Sequence, residues 1–351
     1  MKTIGVGILG FGFMGKTHAF AHKNIPLYYN PLNIKGQLKV VCTSRAESAA
    51  TAKEIGPFER STTNPRDVIE ADDVDLIHIC TPNHLHYDVL AEAIKAGKHI
   101  YVDKPVTGNL DEATRLEPLL KNYKGIAQVA LQYRFFPATL KAKKLIDEGF
   151  CGPITHFRAA YLHAGSVDPN KPVNWKSTAA AGGGVIRDLG SHVIDLLNHL
   201  IGPFTAVNCA SRIWSPKRPS LDKPGTTMTI DVEDAAVMLL RSADGAIGSV
   251  EASKIATGSE DELRFEIHGQ YGAIRFNLMD PNFLEIYDQR LSDGDLGGSR
   301  GWQRIATIHK SPRQAENSPG QNSPPAGSAP TFTACTTSST ASIDKTSRTR
   351  P

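Results

Sequence analysis

The sequence has little cysteine, and what it has is scattered. Cys42, Cys80, Cys151, Cys209 and Cys335 are odd in number, and none stands in a C-x-x-C pair. This argues against a disulfide framework and for a reducing compartment, with the cytoplasm as the default. An excess of charge of one sign is also missing: 39 basic residues face 36 acidic ones, and the net +3 gives no nucleic-acid footprint. No apolar run reaches the length needed to cross a bilayer, so no membrane association is expected. Met1-Lys2 followed by apolar residues has the outline of a signal peptide. However, glycines punctuate the run and no small-residue cleavage site follows, so it reads as a strand. A chain of 351 residues is long enough for two domains, each with its own core.

What the sequence does have is Ile4-Gly5-Val6-Gly7-Ile8-Leu9-Gly10-Phe11-Gly12-Phe13-Met14-Gly15. Gly10, Gly12 and Gly15 give the G-x-G-x-x-G spacing between a buried strand and a helix-compatible segment, Lys16 to Lys23. Gly10 permits the tight turn, Gly12 has no β-carbon to keep a pyrophosphate from the backbone, and Gly15 lets the helix pack closely on the sheet. The helix N-terminus then presents its N–H groups and positive dipole end to phosphates. Phe13 and Met14 lie in the same turn.

The first third alternates strand-like and helix-like segments, as a parallel sheet with crossover helices requires. An aromatic loop from Pro26 to Pro31 follows the first helix. Strands are expected at Leu38–Cys42, Asp75–Cys80, His99–Val102 and Ile126–Leu131, and helices at Ser48–Ile55, after Asn83 (as its cap) and at Leu110–Leu120. Beyond about residue 135 the pattern changes. A helix from Ala138 to Glu148 leads into strands with antiparallel alternation, at Thr155–Leu162, Thr205–Ile213, Ala235–Arg241, Ala246–Ser253, Leu263–His268 and Ala273–Asn277. A helix over Asp188–Leu200 interrupts them. The fold class is therefore α/β, with an N-terminal dinucleotide-binding domain over 1–124 and a second domain over 125–310 built on a large, mostly antiparallel open sheet. Homo-oligomerisation through that sheet, as a dimer or tetramer, is expected. Residues 311–351 are rich in Ser, Thr, Pro, Ala, Asn and Gln without apolar periodicity, and read as a disordered low-complexity tail.

Two clusters carry candidate chemistry. Lys104, in Val102-Asp103-Lys104-Pro105, falls at the C-terminal end of a predicted parallel strand, where α/β sheets place ligands. Proline after it restricts the backbone, and the bond between them can be cis. The second is Gly182-Gly183-Gly184 through Asp188 to His192. Asp188 and His192, four apart on a predicted helix, lie on one face. A carboxylate there favours and orients a protonated imidazole, as a proton-transfer site requires, although such pairs are also common on solvated helix surfaces. The glycines would let backbone approach a ligand. His84 and His86 begin a helix with no third ligand nearby, so no metal is expected. Trp175, Tyr161, His163, Arg134 and Asp195 are further candidates to face a ligand.

Together these residues resemble the glucose-fructose oxidoreductase / inositol dehydrogenase / rhizopine-catabolism (Gfo/Idh/MocA) family of NAD(P)-dependent oxidoreductases. The resemblance spans about residues 3 to 290 and rests on four motifs in order: Gly10 to Gly15 with His18, Cys80-Thr81-Pro82-Asn83-His84-Leu85-His86, Asp103-Lys104-Pro105, and Gly183-Gly184 through Asp188 to His192. Most members have Glu where Asp103 stands. The resemblance implies a Rossmann domain followed by an α/β domain with an open sheet. It implies that Lys104 donates to the substrate hydroxyl, that His192 takes its proton, and that Asp188 orients the substrate. Members differ in whether the lysine or the histidine is the acceptor. Thr81, Pro82, Asn83 and His86 would line the nicotinamide-ribose side, with Asp103, Lys104 and Pro105 beside them, and Tyr161 and Trp175 would join Lys104, Asp188 and His192 around a sugar or polyol. Lys104 and His192 belong to different domains, so a site in the cleft between them is expected.

Cofactor choice depends on charge at the end of the second strand. NAD-selective Rossmann domains usually place Asp or Glu at the end of the second strand. Here the strand runs into Thr43-Ser44-Arg45, with no carboxylate before Glu47. Two hydroxyls and a guanidinium suit a 2′-phosphate, so NADP(H) is expected over NAD(H). The tail departs from the resemblance, since family members continue with a helix and a closing strand. A reading-frame shift near residues 310 to 320 is the expected cause, and translation of the gene in the other frames would test it. The leading reading is an NAD(P)-dependent oxidoreductase moving a hydride to or from a secondary hydroxyl of a sugar, inositol or related polyol. The alternatives are a non-catalytic dinucleotide-binding regulator and an inactive paralogue with a damaged C-terminus.

Overall fold

The computed structural model describes residues 2–28 and 33–308, so the tail from 311 and the end of the aromatic loop lie outside the described residues. Two units emerge: residues 2–132 with 180–182, and residues 133–179 with 183–308. Residues 125–132, expected to open the second domain, therefore pack with the first unit. No described helix is long and apolar enough to cross a membrane.

In the first unit the chain runs β1 (Lys2–Leu9), α1 (Phe13–Tyr28), β2 (Ile34–Cys42), α2 (Ala46–Ile55), β3 (Arg60–Thr62), α3 (Arg66–Ile69), β4 (Leu76–Ile79), α4 (His86–Lys95), β5 (His99–Val102), α5 (Leu110–Leu120) and β6 (Ala127–Val129). The strands are all parallel, in the order β3-β2-β1-β4-β5-β6. This is the doubly wound Rossmann order, whose ligand crevice lies at the carboxyl ends of the strands where the order reverses, between β1 and β4. Val6, Ile8, Leu9, Val41, Ile77 and Ile79 are fully buried because helices cover both faces. The short edge strand β3 and helix α3 were not expected. Pro26 lies inside α1, which reaches Tyr28 instead of stopping before the proline; there the helix is near its end and has few bonds to lose. Asn83 is not the cap of α4, which Leu85 precedes after a 3₁₀ turn over Asn83–Leu85. The Asn83 amide instead donates to the Gly182 carbonyl at 2.9 Å.

The second unit adds α6 (Pro137–Asp147), β7 (Ile154–Leu162), α7 (Ser191–Ile201), β8 (Phe204–Arg212), β9 (Lys217–Pro219), β10 (Thr227–Thr229), β11 (Ala235–Ser242), β12 (Ile247–Ser253), β13 (Glu262–Gly269), β14 (Gly272–Asn277), β15 (Phe283–Asp288) and β16 (Trp302–Ala306). Eight strands form one sheet, β16-β15-β14-β13-β7-β12-β11-β8, in which only β7 and β12 pair in parallel. Along β11, Ala236, Met238 and Leu240 are buried while Val237 and Leu239 are exposed. That alternation marks one covered face and one open face. Fold class and the open sheet agree with expectation; β15 and β16 extend that sheet, and β9 and β10 pair separately.

Three histidines are buried together in the first unit. His18 and His22 lie one turn apart on α1 and flank His78 of β4, with Nδ1 of His18 2.7 Å from Nδ1 of His78 and Nε2 of His22 2.9 Å from Nε2 of His78. A neutral ring donates from one nitrogen and accepts at the other, so the three form a directional chain tying α1 to the sheet. Burial pushes His18 down to about 3, helped by His22, and His22 to about 4; His78 is also lowered, by burial and its two neighbours. As pH falls below 6.5, the value of an unperturbed histidine, the unfolded chain therefore takes up protons that the folded chain refuses. The stabilisation is complete above that value. It declines as pH falls further, because each ring that the fold keeps neutral is protonated in the unfolded chain. The denaturant midpoint of the first unit is expected to drop between about pH 7.5 and about pH 5. Equal midpoints would show that the cluster admits protons while folded.

Candidate active site

The dinucleotide cradle lies at the β1–α1 turn. Gly10 has φ +87°, and a β-carbon there would sit 2.5 Å from the Cys80 carbonyl oxygen. At Gly15 it would sit 2.1 Å from the Gly10 carbonyl oxygen, which is how closely α1 approaches the end of β1. At Gly12 it would meet nothing within 4 Å. Gly12 thus borders open space at a helix N-terminus, flanked by exposed Phe13 and by Met14, and the residues fit the pyrophosphate of a nicotinamide dinucleotide. At the end of β2, Thr43 is engaged within its own loop, its hydroxyl 3.0 Å from the Arg45 carbonyl and 2.7 Å from the Ser48 hydroxyl. Ser44 and Arg45 are exposed.

The loops after β4 and β5 complete this half. Asp103 accepts the Lys104 N–H at 2.8 Å, and the Lys104–Pro105 bond is cis. His86 is fully buried, with Nδ1 2.9 Å from the Pro105 carbonyl and Nε2 2.8 Å from the Thr81 carbonyl. A neutral ring donates to one of these and an imidazolium to both. Either way His86 braces the Thr81-Pro82-Asn83 loop against the loop of Lys104.

The other candidates stand in the second unit. Asp188 falls in a π-turn over Ile186–Gly190, ahead of α7, which carries His192. The pair is therefore not on one continuous α-helix. Glu233 shapes the turn: its carbonyl accepts the Val185 N–H at 3.0 Å and its carboxylate the Ile186 N–H at 2.9 Å. π-turns of this kind often sit at functional positions. The glycines before it serve the chain's own packing, since a β-carbon would come within 2.3 Å of the Lys176 carbonyl at Gly183 and 2.7 Å of the Glu233 carboxylate at Gly184.

His192 is buried against two tyrosines, its ring 4.8 Å from that of Tyr133 and 5.8 Å from that of Tyr161. Tyr161 is 5% exposed, with its hydroxyl 2.6 Å from that of Tyr133 and donating to Asp261 at 2.7 Å. His163 reaches the same carboxylate at 3.1 Å. Burial alone would raise Asp261, but His163 and Tyr161 hold it below the usual carboxylate range. Burial also pushes both phenols well above theirs, so they stay neutral donors. Arg134 and Asp195 form a two-pronged ion pair with each other. Trp175 is half-buried in a short 3₁₀ turn. Within this unit a cavity of about 410 Å³ is bordered by His163, Lys176, Asp188, Arg218, Glu233 and Lys254. Sequence reasoning missed Lys176 and Lys254, neither of which stands in a readable pattern.

A Rossmann unit with an open glycine cradle and a lysine beyond β5, joined to an open-sheet unit with a carboxylate and a buried histidine, defines a nicotinamide-dependent oxidoreductase architecture. Residues 4–131 match the oxidoreductase family with the NAD-binding Rossmann fold, and residues 139–275 match the GFO/IDH/MocA C-terminal domain. The chain belongs to the Gfo/Idh/MocA oxidoreductase family. It is 38% identical over 319 residues, 88% of this chain and 81% of the relative, to levoglucosan dehydrogenase of Pseudarthrobacter phenanthrenivorans. It is 29% identical over 293 residues, 82% of this chain and 78% of the relative, to scyllo-inositol 2-dehydrogenase (NAD(+)) of Bacillus subtilis. A solved levoglucosan dehydrogenase in complex with NADH and levoglucosan superposes with a TM-score of 0.89 at 34% identity, covering 98% of this chain and 90% of that one.

The glycines separate packing from binding. Gly15→Ala should lower the melting temperature, because its new methyl meets backbone. Gly12→Ala should leave melting unchanged yet weaken NADH and NADPH in fluorescence titrations. Unaltered titration of Gly12→Ala would place the pyrophosphate elsewhere.

Proposed function

We propose that the chain is a dehydrogenase that oxidises a secondary hydroxyl of a sugar, inositol or related polyol, using Lys104, Asp188 and His192. The observation that carries this reading is Lys104 at the carboxyl end of β5, on the sheet edge where the glycine cradle opens, in a chain 38% identical to a sugar dehydrogenase. A bound nicotinamide dinucleotide supplies the hydride acceptor or donor. Gly10, Gly12, Phe13, Met14 and Gly15 hold its pyrophosphate, and Thr81, Pro82 and Asn83 border its nicotinamide ribose, with His86 bracing them. Lys104 places positive charge beside the substrate oxygen and favours its loss of a proton. His192 accepts that proton at a ring nitrogen, and Asp188 orients the substrate. Tyr161 and Tyr133 hold the His192 ring, and Trp175 offers an aromatic wall. Levoglucosan and inositols head the list of substrates to assay, given the relatives' names.

We also infer a preference for NADP(H). No carboxylate stands at the end of β2, and exposed Ser44 and Arg45 suit a 2′-phosphate better than a ribose diol. Thr43 contributes less, since its hydroxyl is already engaged. The open sheet face carries Val237, Leu239 and Ile247 at 50%, 62% and 52% exposure, and we assign it to homo-oligomer contact.

Three measurements follow. Lys104→Ala and His192→Ala should each abolish most turnover with cofactor affinity nearly intact, and normal turnover in either would remove that residue from the mechanism. NADPH should bind more tightly than NADH, and Arg45→Asp should weaken NADPH by about tenfold or more; tighter NADH binding by the unaltered chain would reverse the assignment. Leu239→Glu should convert the oligomer to a smaller species in light scattering, whereas an unchanged mass would clear this face.

A further inference from the structure

We propose that Lys254 is a positioning residue for Asp188, fixing its carboxylate on the wall of the second-unit cavity, with Lys176 as a weaker, exchangeable second cation. The inference rests on the role given to Asp188 above.

Lys254 directly follows β12, and its backbone is held on both sides. Its N–H donates to the Asp234 carbonyl at 2.8 Å, and its own carbonyl accepts the Ser166 N–H at 2.8 Å. From this fixed base its ammonium reaches Asp188 Oδ2 at 3.0 Å, with the side chain only 17% exposed. Lys176 approaches Oδ1 at 3.2 Å and Oδ2 at 3.4 Å from a short 3₁₀ turn, and its side chain is 49% exposed. Oδ2 thus has its closer contact with Lys254 and Oδ1 with Lys176, which constrains the plane of the group as well as its place. The two cations are unequal: solvent screens the exposed ammonium and lets its chain wander, whereas the enclosed one is held.

The surroundings leave Asp188 as the partner of Lys254. Glu233, which also borders the cavity, accepts the Ile186 N–H at 2.9 Å, and Asp234 accepts the Trp214 N–H at 2.9 Å. Both acids are tied to the backbone. The π-turn rests directly on β12, since a β-carbon at Gly190 would lie 3.6 Å from that of Ala252, two residues before Lys254. Strand and turn therefore move together, and the ion pair spans the point where they touch. Without Lys254 the carboxylate loses its enclosed cation and is drawn towards the exposed one. A misplacement of this kind is costly in a site that must hold a hydroxyl in line for reaction.

The test measures kcat, KM, cofactor affinity and melting temperature with the best sugar or polyol substrate, for Asp188→Asn, Lys254→Met, Lys254→Arg, Lys176→Met and the double variant Asp188→Asn/Lys254→Met. Lys254→Met should lose about 10- to 100-fold in kcat/KM with cofactor affinity unchanged. Lys254→Arg should recover most of that loss, and Lys176→Met should lose less than Lys254→Met. The double variant should be no worse than Asp188→Asn alone, because the lysine acts through the aspartate. Wild-type activity in Lys254→Met beside an inactive Asp188→Asn would overturn the inference and leave the site reading standing. A Lys254→Met loss that multiplies onto Asp188→Asn would make the lysine a general support of the fold, which also overturns it. Wild-type activity in Asp188→Asn would overturn the site reading itself, and the inference with it.

Discussion

The first unit depends on how closely α1 approaches the end of β1. A β-carbon at position 15 would lie 2.1 Å from the Gly10 carbonyl oxygen, so this approach exists only because glycine occupies the position. The helix N-terminus is thereby brought to the carboxyl edge of the sheet, where its N–H groups face open space at Gly12. One turn further along, the same approach sets His18 and His22 against His78, and the three neutral rings fasten the helix to β4. The cradle and its anchorage are two consequences of one steric allowance.

In the second unit the corresponding constraint is electrostatic. The π-turn before α7 is pinned by Glu233 through backbone N–H groups and holds Asp188 between Lys254 and Lys176. His192 is seated on the next turn against Tyr133 and Tyr161, whose hydroxyls run on to Asp261 and His163. A carboxylate with one enclosed cation and an imidazole with fixed walls suit the acid–base work on a hydroxyl proposed for them. Their rigidity comes from side chains far apart in the chain: Tyr133 before α6, Tyr161 in β7, Glu233 before β11 and Lys254 after β12.

Much of this was legible from local signals. The glycine spacing, the alternation of apolar strands with helices and the lysine after His99–Val102 all express rules that act within a few residues. The strands left unread are three residues long and polar, as at Arg60–Thr62, or follow the last clear alternation, as at Trp302–Ala306. Asn83 carries a cap signature, but its amide answers to Gly182, about a hundred residues away. The glycine run at 182–184 looks like room for a ligand and is filled by the chain's own carbonyls and carboxylate. His18 and His22 at helical spacing were a signal that could have been read; their partner His78 could not, because only the sheet order brings it there. Lys254 has no local signature at all, since its meaning lies in the strand end that aims it at Asp188.

The proposed reaction moves hydride directly between a carbinol carbon and the nicotinamide ring. It is tested most directly by incubating the protein with oxidised NADP or NAD and neutral sugars or polyols deuterated at their carbinol carbons, then analysing the cofactor by mass spectrometry. Direct transfer puts deuterium in the reduced cofactor and releases none to water. Cofactor that binds tightly yet acquires no label from any of these alcohols would contradict it, and would make the chain a dinucleotide-binding protein without dehydrogenase chemistry.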